Sequence, residues 1–301
     1  MSGQDAYWLE QIHSIMPELE VEGYELFQEG LVNDVLIVNN EWVIRFTKTE
    51  WGKELMAIED RLMSFLQPKL SLSIPSPVKR AEGVIVYPHL IGETFFREFW
   101  SGADEYGQQA LADQMGRFLF ELHSIDTSAL DWEVPHSYAP ATYETWLEIH
   151  DRVVEKVYPL LLSHQIDWVE RLFYPALSIP GFFDVAPALV HGDLAPYHVL
   201  FHPEKKCLTG VIDFGVAGLG DPATDLGSLL NYYGETLVSK IKGAYPNFPE
   251  LIDRARFYAQ AIELQWVLLG IETGENYWFT SHIAGARDIR ADEGTINLQN
   301  S

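Results

Sequence analysis

The chain has 301 residues, of which 47% are hydrophobic and 21% charged, a composition typical of folded globular proteins rather than disordered or fibrous ones. Its formal net charge of −24 disfavours nucleic acid and anionic membranes as partners, because both bind basic surfaces, and favours small cationic partners. The single cysteine, Cys207, excludes an internal disulfide, and no apolar run approaches the roughly 18 residues of a membrane span. With an N-terminus that resembles no leader peptide, these features predict a cytoplasmic protein.

Residues 1–90 are predicted to form a small antiparallel sheet and one helix. The stretch "YELFQEGLVNDVLIVNNEWVIRFTK" alternates apolar and polar residues and turns at Gly30 and at Asn39-Asn40. A helix is expected next, because apolar residues recur at helical spacings: Leu55, Ile58, Leu62, Phe65 and Leu66. The prolines of "SIPSPV" end this helix, and "GVIVYPHLIGE" predicts one more strand before a lobe boundary near residue 90.

Residues 91–301 are predicted to form a larger, mainly helical lobe. One helix is indicated by an apolar face that comprises Leu111, Met115, Phe118, Leu119 and Leu122. Further helices are expected at "YETWLEIHDRVVEKVYPLLL", "DLGSLLNYYGETLVSKI" and "ELIDRARFYAQAIELQWVLLGIE", with two strands, "HVLF" and "LTGVIDF", after the first of these. The predicted fold class is therefore α+β, with a small antiparallel β-rich lobe followed by a larger helical one.

The stretch "LVHGDLAPYHVLF" contains the strongest functional motif. Asp193 lies two residues after His191, His198 follows five residues later, and Asp213 of "GVIDFG" comes twenty residues after Asp193. Because a hairpin separates them, the two carboxylates are expected to meet at one end of a short ribbon. Protein kinases have the same order of functional residues: an aspartate of the catalytic loop, then a residue on the metal side of the site, then a metal-binding aspartate that precedes a glycine. The alternative, in which Asp193 caps a turn and Asp213 ends a strand, explains each residue but not their joint spacing.

The chemistry of phosphoryl transfer requires these residue types. It consists mainly of positioning and of charge neutralisation around a nucleoside triphosphate and Mg²⁺. Since magnesium prefers hard oxygen ligands, Asp213 is predicted as the metal anchor. Asp193 is predicted to accept the proton of the attacking hydroxyl or to orient that hydroxyl.

The first lobe contains matching partners for a phosphate group. Arg45 lies on a predicted strand and Glu59 on the following helix, so an ion pair between them would hold a cation over the phosphates. The alternative is an ordinary surface salt bridge. The segment "QEGLVNDV" is predicted to cover the phosphates, although Gly30 is its single glycine.

The stretch "HGDLAPYHVLF…GVIDFGVAGLGDPATDL" resembles the aminoglycoside phosphotransferase family, a group of small-molecule kinases that includes macrolide phosphotransferases and choline and homoserine kinases. The resemblance runs from about Glu29 to about Arg290. It implies a protein-kinase-like bilobal fold, with residues 1–90 as the nucleotide-binding lobe and residues 91–301 as the lobe of the catalytic loop and substrate-binding region. It also implies Asp193 as the catalytic aspartate and Asp213 as the principal metal ligand.

The same resemblance assigns residues of the first lobe to the nucleotide. Arg45 and Glu59 match the family's phosphate-binding cation and helix glutamate. The segment "VYPHLIG" resembles the hinge whose backbone meets the nucleotide base, which implicates Tyr87, His89 and Leu90.

His198 departs from the asparagine that many family members carry. Imidazole is a less natural magnesium ligand than an amide oxygen. A histidine at this position resembles the aminoglycoside 2″- and macrolide 2′-phosphotransferases, several of which favour GTP. His198 is therefore a candidate metal ligand and the donor is ATP or GTP, with a packed hairpin histidine as the alternative.

The acceptor is expected to be small and cationic. Of the D-P-x-x-D carboxylates, Asp221 is interpreted as structural, since such motifs fasten a loop to a helix. The family resemblance implies an acidic cleft for an ammonium-bearing acceptor, lined by four other carboxylates, with solvated helix faces as the alternative: Asp225, Glu263, Glu272 and Glu275.

These features predict a Mg²⁺-dependent phosphotransferase that moves the γ-phosphate of ATP or GTP to a hydroxyl of an aminoglycoside or macrolide antibiotic. One alternative is a metabolic kinase for choline, homoserine or another amino alcohol. Others are a pseudokinase that serves as a binding module, and a hydrolase with Asp193 as nucleophile. The sequence leaves the modified hydroxyl and the oligomeric state open.

Overall fold

A computed structural model of the chain describes residues 3–28, 30, 32–275 and 281–282. Within these residues, a five-stranded sheet forms the small lobe and helices dominate the remainder, so the predicted α+β architecture is confirmed. Arg290, where the family resemblance ends, and the last part of the predicted second lobe lie outside the described residues. None of the helices in the described ranges is both long and apolar enough to span a membrane.

The sheet of the small lobe is antiparallel throughout. Asn39 and Asn40 have φ angles of 54° and 55°, the left-handed pair of a type I′ turn, and the Glu41 amide closes this turn with a 3.0 Å hydrogen bond to the Val38 carbonyl. This turn, predicted from the Asn-Asn dipeptide, joins the two longest strands. The sheet has the order β1-β2-β3-β5-β4 and consists of β1 (Tyr24–Phe27), β2 (Asn33–Val38), β3 (Trp42–Thr47), β4 (Lys79–Ala81) and β5 (Val84–Pro88).

Two helices cover the sheet. Helix α1 (Gly3–Ile15), which the sequence patterns did not predict, buries Trp8 and Ile12 in a small apolar core with side chains of β2, β3 and β5. Helix α2 (Glu50–Leu66) begins at Thr49, whose hydroxyl accepts a 3.0 Å hydrogen bond from the Gly52 amide. Its predicted apolar stripe is largely buried, and the stripe brings Glu59 beneath the sheet.

One continuous hydrophobic core fills the larger lobe and extends into the small lobe at α2, β3 and β5. Helix α4 (Glu105–His123) buries the five predicted apolar residues, because they recur at the helical period on one face. The helices are α3 (Arg97–Gly102), α4 (Glu105–His123), α5 (Tyr143–Lys156), α6 (Ser163–Ser178), α7 (Ala223–Tyr233), α8 (Glu235–Ile241) and α9 (Phe248–Thr273). The strands are β6 (Glu93–Thr94), β7 (Ala188–Val190), β8 (Val199–His202), β9 (Cys207–Val211) and β10 (Gly218–Gly220).

Helices α7 and α9 approach each other closely. A Cβ atom on Gly227 of α7 would lie 2.9 Å from the Tyr258 Cβ and 3.2 Å from the Ala255 carbonyl oxygen of α9. Only glycine permits this separation without displacing one helix. The contact fixes α9 relative to α7.

Candidate active site

Two short ribbons bring the predicted acidic residues together. Strand β7 pairs with β10 and leads directly into His191, Gly192 and Asp193. Strands β8 and β9 form the predicted hairpin, and at its open end the Ile212 amide donates a 2.9 Å hydrogen bond to the His198 carbonyl. Asp213, which comes just after β9, therefore lies at the same end of the hairpin as His198, which directly precedes β8.

His198 lies between the two aspartates. Its Nδ1–H donates to the Asp193 carbonyl oxygen at 2.8 Å, and its Nε2 lies 3.3 Å from Asp213 Oδ2. Burial opposes a charge on this imidazole, but the facing Asp213 and Asp193 outweigh burial and raise the pKa of His198. The three predicted residues thus form one contiguous group.

The two carboxylates of this group have opposite electrostatic surroundings. Burial raises the pKa of Asp193 above its ordinary value, although His198 and His191 oppose the change. Burial would also raise the pKa of Asp213, but the hydrogen bond with His198 and the charge of Arg45 hold that pKa well below its usual range. Asp213 is therefore the more stable anion, and Asp193 is the carboxylate better able to take up a proton.

The backbone of Asp213 adopts the left-handed conformation with φ of 66°, which is unfavourable for a residue with a Cβ. The next residue, Phe214, is buried, and its amide donates a 3.1 Å hydrogen bond to Glu59 Oε1. The contact between lobes and the buried ring hold the strained backbone in place. The Asp213 carboxylate, with its side chain 47% exposed, is thereby presented to the cleft between the lobes.

The predicted pair of Arg45 and Glu59 forms across the small lobe. Arg45 Nη1 lies 2.6 Å from Glu59 Oε1, and Arg45 Nη2 lies 3.7 Å from Asp213 Oδ1. Both partners are buried, with side chains 6% and 1% exposed, so the alternative of a surface salt bridge is wrong. Burial lowers the pKa of Arg45, but the charge of Glu59 outweighs it and the net shift is upward. The pair places a fixed cation beside Asp213.

The predicted hinge follows β5. Tyr87 is buried at the end of the strand, and burial raises the pKa of its phenol to about 12. The His89 amide donates to the Glu41 carbonyl at 2.7 Å, and its ring nitrogen contacts the Asn40 carbonyl at 3.2 Å. His89 thus fastens the hinge to the β2–β3 turn, and Leu90 is the next residue along this segment.

The predicted phosphate loop is held by a lysine that the sequence patterns did not single out. Lys48 Nζ donates hydrogen bonds of 2.6 Å to the carbonyl oxygens of Gln28 and Gly30. It also lies 3.3 Å from Asp34 Oδ1. Lys48 therefore anchors the exposed Gly30 segment to the chain just after the end of β3.

Asp225 is not positioned to bind an acceptor, and that prediction is wrong. The carboxylate is completely buried and accepts hydrogen bonds from the His191 amide (2.9 Å), the Gly192 amide (2.8 Å) and His123 Nε2 (3.0 Å). Burial opposes its ionisation, but the hydrogen bond from His123 outweighs burial and lowers the pKa of Asp225. Asp225 is an anchor for the two residues that precede Asp193.

Asp221, the first carboxylate of the D-P-x-x-D motif, has the structural role predicted for it. It accepts hydrogen bonds from Arg254 Nε (2.6 Å), the Tyr258 hydroxyl (2.9 Å) and the Ala223 amide (2.9 Å). These bonds tie the start of α7 to α9. The motif therefore supplies two buried anchors, one for α9 and one for the catalytic loop.

A cavity of about 440 Å³ opens beside Asp193. Its walls come from α5, α9, the segment Tyr138–Pro140 and the catalytic loop, and Glu272 is among the lining residues. Glu263 is not part of this lining: it bonds Asn231 Nδ2 at 2.7 Å and His282 Nδ1 at 2.8 Å. Glu275 is exposed and also lies outside the lining. The predicted acidic cleft therefore contributes one of its four members to the cavity.

Aromatic residues that the sequence patterns did not mark surround Asp193. Tyr197 lies in the loop between Asp193 and His198, and its ring meets that of Tyr232 of α7 at 6.4 Å between centroids. Burial raises the pKa of Tyr197, and the nearby charge of Asp193 adds to the shift. No local pattern marks these residues, because tyrosines that border a site have no required spacing.

Comparison with known proteins is consistent with this geometry. A small β-rich lobe with a buried cation, a helical lobe with paired carboxylates and an adjoining cavity define a phosphotransferase of the protein-kinase-like class. The chain belongs to the phosphotransferase enzyme family (APH), whose model matches residues 23–259. The resemblance drawn from the HGD and IDFG motifs is thereby confirmed.

Solved and curated relatives agree with the family assignment. A complex of an aminoglycoside 2″-phosphotransferase with GDP and kanamycin superposes with a TM-score of 0.82 at 25% identity, covering 92% of this chain and 96% of that one. Viomycin phosphotransferase from Streptomyces vinaceus is 26% identical over 71% of this chain and 75% of its own length. Acyl-CoA dehydrogenase family member 10 from Mus musculus is 31% identical over 44% of this chain, and that match spans 12% of its length.

Proposed function

We propose that the protein is a Mg²⁺-dependent phosphotransferase that moves the γ-phosphate of ATP or GTP to a hydroxyl of a small cationic acceptor, with aminoglycoside and macrolide antibiotics as the leading classes. One observation carries the proposal. Asp193 lines the cavity and at the same time adjoins the group formed by His198 and Asp213, which lies 3.7 Å from Arg45. A hydroxyl in the cavity and a phosphate beside Arg45 would therefore meet at Asp193.

The roles of the small lobe follow from charge. Arg45 is held as a cation by Glu59, and a guanidinium binds phosphate oxygens through paired N–H donors. The Gly30 segment, anchored by Lys48, would lie over the phosphates, and the segment from Tyr87 to Leu90 would face the base. The assignment of residues 1–90 as the nucleotide-binding lobe rests on these contacts.

The donor set near Asp213 suits a magnesium ion that arrives with a nucleotide. No group of three or more His, Cys, Asp or Glu side chains in the described residues forms a metal cage, and Mg²⁺ in phosphoryl transfer uses one or two carboxylates together with substrate phosphates. Asp213 would hold the ion. The Nδ1–H of His198 is bound to a carbonyl, so Nε2, when it carries no proton, would be the second ligand beside Asp213. The bound ion would neutralise charge on the phosphates.

The proposed reaction needs little from the protein beyond positioning. The acceptor oxygen forms a bond to the γ-phosphorus, the bond from that phosphorus to the bridging β,γ-oxygen breaks, and a nucleoside diphosphate leaves. Asp193 accepts the hydroxyl proton or aligns the hydroxyl for attack. The raised pKa of Asp193 fits this role, because a stronger base accepts the proton more readily.

The known relatives support antibiotics as the proposed acceptors. One solved neighbour binds GDP and kanamycin, and a curated relative acts on viomycin. Both are phosphotransferases for antibiotics, so antibiotics are the first acceptors to test. Amino alcohols such as choline and homoserine are the second panel, because kinases for them belong to the same family by the resemblance noted above.

The test combines one substitution with an acceptor panel. Asp193→Asn is expected to abolish acceptor-dependent release of nucleoside diphosphate while nucleotide affinity, measured by calorimetry, stays unchanged. Asp184→Asn, an exposed carboxylate earlier in the same lobe, is the control and should keep full turnover. Retained turnover in Asp193→Asn would overturn the role of Asp193. Nucleotide binding without any phosphorylated product would favour a pseudokinase, and an absence of nucleotide binding would revive the hydrolase alternative.

A further inference from the structure

The residues that line the cavity beside Asp193 also indicate which class of acceptor fits there. We infer that the acceptor presents a broad apolar face to this cavity and carries at most one ammonium group, so that polycationic compounds are poor substrates. The inference rests on the proposed function, since it names the acceptor class of the same site. It is carried by the side chains and charges of the cavity wall.

The wall is apolar along much of α9. This helix contributes Ile262, Leu268 and Leu269, and α5 adds Ile149 beside its own polar lining residues. Pro140 and Val216 extend the apolar surface toward the catalytic loop. A ligand with ammonium groups distributed over its whole surface would have to place several of them against these side chains, and an unpaired charge is unfavourable there.

The charge of Glu272, a carboxylate of the cavity wall, is largely neutralised by two cationic side chains of the protein. Glu272 Oε2 lies 2.6 Å from Arg152 Nη2, and Glu272 Oε1 lies 2.7 Å from Lys156 Nζ. The hydrogen bonds from Lys156 and Arg152 lower the pKa of Glu272 and keep it ionised within this triad. Glu272 therefore has two cationic partners already, and a ligand ammonium would have to compete with both.

The remaining carboxylates of the wall are Asp193 and Glu148. Asp193 is committed to the acceptor hydroxyl in the proposed reaction. Glu148 is exposed, and it forms no salt bridge with any residue in the part of the chain that the structure describes. A chain with a formal net charge of −24 thus leaves one carboxylate in this cavity for a ligand cation, which suits a molecule with a single ammonium group.

The first experiment compares two probes that differ in this property. Initial rates would be measured with Mg²⁺ and ATP or GTP, using a macrolide with one amino group and the polycationic aminoglycoside kanamycin. The kcat/KM for the macrolide is expected to exceed that for kanamycin by about a hundredfold. Apolar contacts with the wall favour the macrolide, and unpaired ammonium groups disfavour kanamycin. A preference for kanamycin would overturn the inference and leave the proposed function standing. Nucleotide binding without phosphorylation of either probe, or of the amino alcohols, would overturn both.

A matched pair of substitutions tests the apolar wall. Ile262 and Ile252 are both half-buried isoleucines of α9, but only Ile262 lines the cavity. Ile262→Ser is expected to raise the macrolide KM about tenfold with little change in kcat, because it removes apolar contact with the bound acceptor. Ile252→Ser should leave KM unchanged. Equal KM values in the two variants would contradict the assignment of this wall.

A second pair tests the charge balance and does not depend on the apolar wall. The double substitution Arg152→Gln and Lys156→Gln frees Glu272, and it should lower the KM for kanamycin about tenfold. The macrolide KM should change much less. An unchanged KM for kanamycin would show that the triad does not set acceptor charge, and the inference would fail.

Discussion

Substitution of Asp225 by asparagine tests the assignment of this residue as an anchor. In the native protein, Oδ1 accepts from the Gly192 amide, and Oδ2 accepts from the His191 amide and from His123 Nε2. Asparagine has nearly the same shape but only one acceptor oxygen. Its amide NH₂ would face at least one of the three donors, and that donor would be left buried without a partner.

The expected loss of stability follows from these three hydrogen bonds. An orphaned buried donor costs about 1–3 kcal/mol, and each of the other two bonds weakens by about 1 kcal/mol when its acceptor loses its charge. Asp225→Asn should therefore lower the free energy of unfolding by about 4 kcal/mol, which a protein of ordinary stability survives. Because Gly192 immediately precedes Asp193, a shift of the loop should also reduce kcat by about tenfold to a hundredfold.

Asp221→Asn is the matched control. Asp221 is an equally buried carboxylate of the same motif, but its partners are Arg254, Tyr258 and Ala223 rather than the catalytic loop. Urea unfolding should show a comparable loss of stability in both variants, whereas kcat at saturating substrate should fall only in Asp225→Asn. A raised acceptor KM with normal kcat and stability in Asp225→Asn would refute the reasoning, since that pattern is typical of direct acceptor contact.

Substitutions at three further residues probe the metal side, the catalytic loop and the buried pair. His198→Asn should remain active, whereas His198→Ala should raise the Mg²⁺ concentration for half-maximal rate about tenfold; equal requirements in both would remove His198 from the metal site. Gly192→Ala should lose activity while it still binds nucleotide, because φ is 81° and the new Cβ would lie 2.5 Å from Ser137 Oγ; normal kcat would contradict the tight loop. Glu59→Gln should destabilise the protein by about 3 kcal/mol in urea unfolding and weaken nucleotide binding, because Arg45 loses its buried partner; unchanged stability would show that Asp213 suffices.

The sequence predicted those elements whose signals are local. The apolar stripes of α2 and α4 and the Asn39-Asn40 turn each repeat a short-range pattern, and all three are present in the structure. The joint spacing of Asp193, His198 and Asp213 was informative because one hairpin connects them. Helix α1 was missed, since its apolar residues give only a weak helical pattern and gain their role from packing on the sheet.

The errors concern contacts that are distant in the chain. Asp225 meets His123 across 102 residues, and Arg152 meets Glu272 across 120 residues. No spacing rule reports such a pairing, so a carboxylate with a buried partner looks the same in sequence as one that faces a ligand. The exposed fraction of each carboxylate and its nearest cation, both properties of the folded chain, separate the two cases.

Helix α2 contacts both sides of the cleft. Near its middle, Glu59 binds Arg45 and the Phe214 amide. Near its start, the rings of Trp51 and Tyr138 meet edge to face, 5.9 Å apart between centroids, and Tyr138 lines the cavity beside Asp193. At about 1.5 Å of rise per residue, the two contacts lie roughly 12 Å apart along the axis of this one helix. A donor that reorients α2 therefore also changes the cavity, and thermodynamic reciprocity requires the acceptor to alter donor affinity by the same factor. In the proposed enzyme the two substrates would then bind as coupled ligands, and the ratio of donor dissociation constants with and without acceptor would measure that coupling.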